Sequence, residues 1–151
     1  MTYASSGAKV TSSLINGIFP AILSSAFTQR TFQGAGGTVT GTTFGNVTTQ
    51  CTTTVTSAGS FAFIVISALL AEDTAGHIGR GAVAISGATT TAASTTGEFF
   101  LQTTQTTAQR FTAVGLMAIN PGANTYTLQY LTTPSGSTLT VTSQSILVIA
   151  P

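Results

Sequence analysis

Apolar and polar residues alternate along much of the chain with a period of two residues. In the segment NTYTLQYLT, Tyr126, Leu128 and Tyr130 share one face of an extended chain. The other face carries Thr125, Thr127, Gln129 and Leu131, which are polar apart from Leu131. Successive side chains of a strand point to opposite faces. This segment is therefore predicted to be a strand with one buried face.

Further strands are predicted from Thr38 to the end of the chain, separated by turn residues such as Asn120-Pro121-Gly122 and Pro134-Ser135-Gly136. The segments are TVTGTTF, VTTQCTTTVT, SFAFIVISALLA, IGRGAVAISG, EFFLQT, QRFTAVGLMAI, NTYTLQYLT and STLTVTSQSILVIAP. None of them has a convincing helical period. About eight short strands predict an all-β, antiparallel β-sandwich of the jelly-roll type.

The strand after Gly59 differs from the others because both of its faces are apolar. One face carries Phe61, Phe63, Val65 and Leu69, and the other carries Ala62, Ile64, Ile66, Ala68 and Leu70. A sandwich strand of a monomer has only one core face. We expect Ile64, Ile66 and Leu70 to pack against another subunit or against the N-terminal segment.

Residues 1–36 are predicted to form an N-terminal arm that precedes a sandwich domain at 37–151. Apolar residues recur there at spacings of three and four: Leu14, Ile15, Ile18, Phe19, Ile22, Leu23 and Phe27. This spacing suits a short amphipathic helix, although Gly17 and Pro20 oppose a continuous one. The apolar side needs a cover, so the arm is interpreted as an anchoring segment that lies on the domain, on a neighbouring subunit or on a larger assembly.

The chain carries very little charge. Charged residues make up 5% of the 151 residues and the net charge is +1, against about 25% charged residues in an ordinary soluble domain. Without clustered Lys and Arg, neither nucleic acid nor an anionic membrane surface is an expected partner. No apolar run has the length of a membrane helix, and Asn16, Gly17 and Pro20 interrupt the one stretch that resembles a signal peptide. Much of the surface is therefore expected to face other protein.

Residues capable of catalysis or metal binding are few. Asp73 and His77 could orient a serine nucleophile, but no nucleophile-elbow sequence presents one, so we expect no enzyme activity. With one His and one Cys, no metal site and no cofactor is expected, except for a His77 triplet on a threefold axis. Cys51 is interpreted as a small buried hydrophobe.

Arg80 and Arg110 each lie in an otherwise apolar strand. An unpaired buried charge is costly. At least one of these arginines is therefore predicted to bond to Glu72, Asp73 or Glu98, within a subunit or between subunits, and both are assigned to the assembly interface.

The order of features in RFTAVGLMAINPGANTYTLQYLTTPSGSTLTVTSQSILVIAP resembles the trimeric jelly-roll modules of tailed-phage virion proteins, the C1q/TNF-like heads of fibres and decoration proteins. Upstream, FAFIVISALLAEDTAGHIGRGAVAISG fits the same pattern of a long buried strand, a loop and a strand that carries Arg80. The resemblance covers about residues 38–151 and includes no catalytic motif. It implies a homotrimer that binds other virion proteins or a host surface.

The function expected from this resemblance is that of a trimeric decoration (cement) protein on a phage capsid, which stabilises the head by binding the major capsid protein. The chain has no long shaft, and this favours decoration over a fibre head. The alternative is a receptor-binding head or fibre tip that binds a host surface through its loops. A bacterial surface or pilus-like subunit would need a secretion signal, which the sequence does not support.

Overall fold

The computed structural model describes residues 27–95 and 100–151, and for 27–33 the backbone alone. Within these ranges the chain forms nine strands and no helix. The strands are β1 (Phe27–Gln33), β2 (Gly37–Val39), β3 (Thr52–Ser57), β4 (Phe61–Glu72), β5 (Ile78–Gly87), β6 (Phe100–Thr103), β7 (Gln109–Ala118), β8 (Gly122–Thr133) and β9 (Leu139–Ala150).

The strands form two antiparallel sheets. The first sheet has the order β1-β9-β4-β7, with the short β2 also paired to β9, and the second has the order β3-β8-β5-β6. The pairs β1–β9, β3–β8, β4–β7 and β5–β6 are nested along the chain, so the chain folds back on itself as one long hairpin rolled across both sheets. The predicted all-β sandwich is confirmed. Its jelly-roll type stays a prediction, which the nested pairing favours.

Agreement between predicted and observed strands is best where the hydrophobic alternation is strong. The segments predicted for β4, β5, β7, β8 and β9 agree with the observed strands within two residues at each end. Agreement is poorer in the Thr-rich segments. TVTGTTF yields only the end of β2, and VTTQCTTTVT yields a strand from Thr52 onward. Thr favours strands, but it also occurs in loops, where its hydroxyl bonds the backbone.

Part of the predicted arm at 1–36, which precedes the predicted domain at 37–151, forms a strand of the first sheet. β1 pairs through all seven of its residues with β9, from Phe27 opposite Ala150 to Gln33 opposite Gln144. Residues 27–33 therefore belong to the first sheet. Of the predicted anchoring residues, Phe27 starts β1, and Leu14, Ile15, Ile18, Phe19, Ile22 and Leu23 lie outside the described residues.

The hydrophobic core lies between the two sheets. Tyr126, Leu128 and Tyr130 are fully buried, as the alternation in β8 predicts. Ile64, Ile66 and Leu70 are fully buried as well. Their prediction as a subunit interface is therefore corrected: they face the second sheet, within the core of a single chain. β4 turns its other face outward, so Phe61 and Phe63, rather than Ile64 and Ile66, lie on the outside of the molecule.

Buried polar side chains join the core to the loops around it. The hydroxyl of Tyr130 donates a hydrogen bond to Gln144 Oε1 at 3.0 Å, and Gln144 Nε2 donates to the backbone carbonyl of Thr49 at 2.6 Å. At the other end of β8, Asn124 Oδ1 accepts from the backbone N–H of Thr89 at 2.7 Å. These bonds hold two connecting segments onto β8 and β9, because a buried polar group left unbonded is costly.

Candidate assembly interface

The two sheets present different outer faces. On the outer face of the second sheet, β3 and β8 carry hydroxyl groups that bond one another. Thr52 and Thr127 are joined by their side-chain oxygens at 3.0 Å, and Thr54 and Thr125 at 2.8 Å. Such cross-strand Thr pairs stabilise a sheet whose face meets water without any charge.

The outer face of the first sheet is apolar over about half of its length. Large hydrophobic side chains are exposed there: Phe61 by 51%, Phe63 by 39%, Val114 by 51% and Leu116 by 60%. Among the described residues, Phe100 on β6 is the one other exposed large hydrophobic. Val65, Leu147 and Ile149 are partly buried on the same outer face. We call these seven residues of β4, β7 and β9 the apolar patch.

Strand register makes the apolar patch continuous. Phe63 lies opposite Leu116 on β7 and opposite Ile149 on β9. The next row joins Val65 to Val114 and Leu147 in the same way. Side chains directly opposite each other on neighbouring strands share a face and touch. Two adjacent rows of three apolar residues therefore form one surface, rather than isolated exposed side chains.

A cluster of hydroxyl groups around Arg110 covers the rest of this outer face. Arg110 Nη1 donates to Ser67 Oγ at 3.2 Å, and Nη2 donates to Ser143 Oγ at 2.6 Å. Thr112 Oγ1 also donates to Ser67 Oγ at 3.1 Å. Within the described part of the chain, no carboxylate pairs with Arg110. Its side chain is oriented by neutral partners, and its charge is available to an acceptor on another molecule.

β7 closes one side of this surface as an edge strand. It pairs with β4, and in the described residues no other strand pairs with its second edge. The strand has ten residues, its one charged residue is Arg110, and it contains neither Pro nor Lys. Natural edge strands usually carry such residues because unpaired backbone groups recruit other chains. The apolar patch thus ends at an edge that could pair with another strand.

The predicted interface residues occupy three separate places. Ile64, Ile66 and Leu70 lie in the core, Arg110 lies on the outer face of the first sheet, and Arg80 lies on the opposite side of the molecule. Arg80 Nε donates to Gln102 Oε1 at 3.0 Å on the second sheet. Arg110 alone belongs to the surface described above.

Neither arginine bonds to Glu72 or Asp73, so the predicted ion pair with these residues is wrong within one chain. The two guanidinium groups donate instead to amide and hydroxyl oxygens. Glu98, the third predicted partner, lies outside the described residues.

Four exposed residues of the patch were missed as interface residues. On β4, Phe61 and Phe63 are as apolar as the inward Ile64 and Ile66, so the residue types do not indicate which face points outward. On β7, the inward Phe111, Ala113 and Met117 are as apolar as the outward Val114 and Leu116. The sequence signal for these residues is that β4 is apolar on both faces. This pattern predicts that both faces are covered, but it does not indicate which face points into the core.

The remaining candidate residues lie away from this surface. Cys51 is fully buried, as predicted, and burial raises the pKa of its thiol to about 11. His77 and Asp73 are brought together in the β4–β5 loop, with Nδ1 and Oδ1 3.1 Å apart. Glu72, at the end of β4, is 3% exposed, and burial is the main cause that raises the pKa of its carboxyl.

The described residues include no helix that could cross a membrane. A scan of the chain against models of known protein families finds no match, and no curated protein matches it in sequence.

Proposed function

We propose that the protein is an architectural subunit that associates with copies of itself through the apolar patch and serves as a trimeric decoration protein on a phage capsid. The observation that supports self-association is the contrast between the two outer faces. The outer face of the first sheet carries four of the five exposed large hydrophobics, whereas that of the second sheet carries one, Phe100, beside the paired hydroxyls of β3 and β8. Exposed apolar patches of this kind mark protein interaction sites.

The energy available from the patch is substantial for a small domain. Fully burying a Val, Leu or Phe side chain contributes roughly 1.5–3 kcal/mol. Four side chains that are about half exposed would therefore contribute about 3–6 kcal/mol per chain on association. Each copy in a symmetric assembly adds a similar amount, which offsets the entropy lost on association.

The virion role rests on the resemblance to trimeric phage modules, and the nested pairing of the two sheets supports it. In this role the outer face of the second sheet would be turned to solvent, and the segment before β1 would reach the major capsid protein. Added apolar contact would then hold neighbouring capsid subunits together against internal pressure.

Sedimentation velocity and light scattering test the self-association. The unmodified chain is expected to be a trimer, and the double variant Val114→Thr, Leu116→Thr is expected to be a folded monomer. Thr52→Val, Thr127→Val on the second sheet is the matched control, and it should leave the trimer intact. A monomeric unmodified chain, or an unchanged trimer in the Val114/Leu116 variant, would contradict the proposal.

Imaging of particles tests the virion role separately. An epitope tag after Pro151, detected on particles of the phage that encodes the chain, should appear in many copies over the head. Labelling confined to a tail or fibre tip would favour the receptor-binding alternative, and particles without the chain would exclude a virion role.

A further inference from the structure

Three potential ligand side chains converge at the end of β4 and in the loop that follows it. A carboxylate oxygen of Glu72, one of Asp73 and a ring nitrogen of His77 all lie within 4.8 Å of one another. The three residues span one turn of loop, in which Gly76 adopts a positive φ of 90°. The three residues are close together in sequence, and the end of β4 at Glu72 determines where their side chains lie.

Glu72 is the member of this trio that ordinary packing leaves unexplained. Its Oε1 accepts a hydrogen bond from Thr132 Oγ1 at 2.8 Å, whereas its Oε2 is buried and has no hydrogen-bond partner. A buried acceptor without a partner costs about 1–3 kcal/mol. No lysine or arginine pairs with this carboxyl among the described residues. Native structures usually give such a group a partner, and a bound ion is one of the possibilities.

The loop is held in place by its neighbours, so the three side chains start from defined positions. Asp73 donates its backbone N–H to the carbonyl of Thr138 at 3.1 Å, and Thr138 N–H donates to Asp73 Oδ2 at 2.9 Å. On the other side, Glu72 N–H donates to the carbonyl of Gln105 at 2.8 Å and Gly76 N–H to that of Thr104 at 3.0 Å. The β6–β7 and β8–β9 connections thus fix the loop from two directions.

We propose that Glu72, Asp73 and His77 bind a divalent transition-metal ion, with Zn²⁺ as the best fit. The geometry is suitable: bonds of about 2.0–2.2 Å from one ion place neighbouring ligand atoms roughly 3–3.5 Å apart. The Nδ1 and Oδ1 atoms of His77 and Asp73 are already 3.1 Å apart. Small rotations of these two partly exposed side chains bring them and the buried Glu72 carboxylate around one ion. Water would fill the remaining positions.

The donor set discriminates among metals. Imidazole nitrogen is a good ligand for Zn²⁺ and other late first-row ions, whereas Ca²⁺ and Mg²⁺ prefer all-oxygen sites. The ion would neutralise two adjacent carboxylates and give Glu72 Oε2 a partner. It would also join the β4–β5 loop more firmly to β8 and to the β8–β9 connection. This inference is independent of the proposed assembly role.

Isothermal titration of the full, chelator-treated chain with ZnCl₂ tests the site, with CaCl₂ titrated in parallel. We expect saturable binding of one Zn²⁺ per chain and much weaker binding of Ca²⁺. Glu72→Gln and His77→Asn should each lower the Zn²⁺ affinity by about tenfold or more. Glu98→Gln removes the same charge elsewhere in the sequence and should leave the affinity unchanged.

A second readout keeps the test decisive if a variant folds poorly. The chain contains one histidine, so its imidazole proton NMR signals report on His77 alone. In the unmodified chain these signals should shift with Zn²⁺ to the same end point as the calorimetric titration. No saturable Zn²⁺ binding by the unmodified chain would overturn the proposal. An unchanged Zn²⁺ affinity in a folded Glu72→Gln variant would also overturn it, because Asp73 and His77 alone would then be sufficient for binding.

Discussion

Two buried tyrosines of β8 differ in what their hydroxyl groups contact. Tyr130 donates to Gln144, whereas the hydroxyl of Tyr126 is buried without a hydrogen-bond partner. Both rings are fully buried, so the contribution of packing is similar. The pair therefore separates the effect of a satisfied hydroxyl from that of an unsatisfied one.

We expect Tyr126→Phe to leave the free energy of unfolding within about 0.5 kcal/mol of its original value, or to raise it. Tyr130→Phe should lower it by about 1–3 kcal/mol, because it leaves Gln144 Oε1 without its donor in the core. Urea unfolding of both variants measures the difference. Equal losses in the two variants would contradict the assigned hydrogen bond.

Cys51 is a second test at the residue scale. The thiolate is the species that reacts, and a pKa of about 11 leaves only about one thiol in a thousand ionised at pH 8. Because the side chain is also fully buried, iodoacetamide should modify it very slowly in the folded chain and readily in guanidinium chloride. Mass spectrometry follows the reaction, and fast modification of the folded chain would contradict the burial.

Among the elements, β5 ends at a glycine that no other residue can replace without strain. Gly87 has a φ of +112°, and a Cβ there would collide with the carbonyl oxygen of Ala123. Gly76 has a similar positive φ but open space around it. Gly45 has open space and no positive φ, so it serves as the control.

The loss of stability on replacement by Ala should depend on the φ angle of each glycine and on the space around it for a Cβ. Gly87→Ala should destabilise the fold most, Gly76→Ala by about 1–3 kcal/mol from backbone strain alone, and Gly45→Ala by no more than about 0.5 kcal/mol. Thermal or urea unfolding gives the order. A Gly76→Ala loss equal to that of Gly87→Ala would mean that the collision at Gly87 adds nothing.

The strands themselves were largely predictable because their signal is local. Alternation within β8 and the turn residues on either side of it depend only on neighbours in sequence. The faces of β4 were not predictable, because Ile64 and Phe63 are both apolar. Which of them points inward depends on strands far away in the chain, namely β7 and β9 beside it and the second sheet opposite.

At the scale of the whole molecule, the position of β1 determines which N-terminal deletions leave the first sheet intact. A deletion of residues 1–30 would remove four of the seven residues of β1, the strand that covers the edge of β9. Deleting 1–26 leaves all described strands in place and should preserve the midpoint of thermal unfolding. Deleting 1–33 should lower that midpoint, because it removes seven paired residues.

The shorter deletion also tests the anchoring hypothesis. If the segment before β1 binds the capsid, the chain lacking residues 1–26 should keep its trimer and lose binding to phage heads in a co-sedimentation assay. Full binding by this truncated trimer would count against the segment as an anchor.

The β-rich class, the positions of the long strands and the low charge follow from residue types and their spacing, because these are properties of neighbouring residues. The inward orientation of Ile64, the outward apolar patch and the paired hydroxyls of β3 and β8 follow from strand pairing. Strand pairing also places Thr132 beside Glu72, although the two residues are far apart in sequence. Such contacts depend on how distant segments come together, and a pattern with a period of two residues is the same for either face of a strand that is apolar on both.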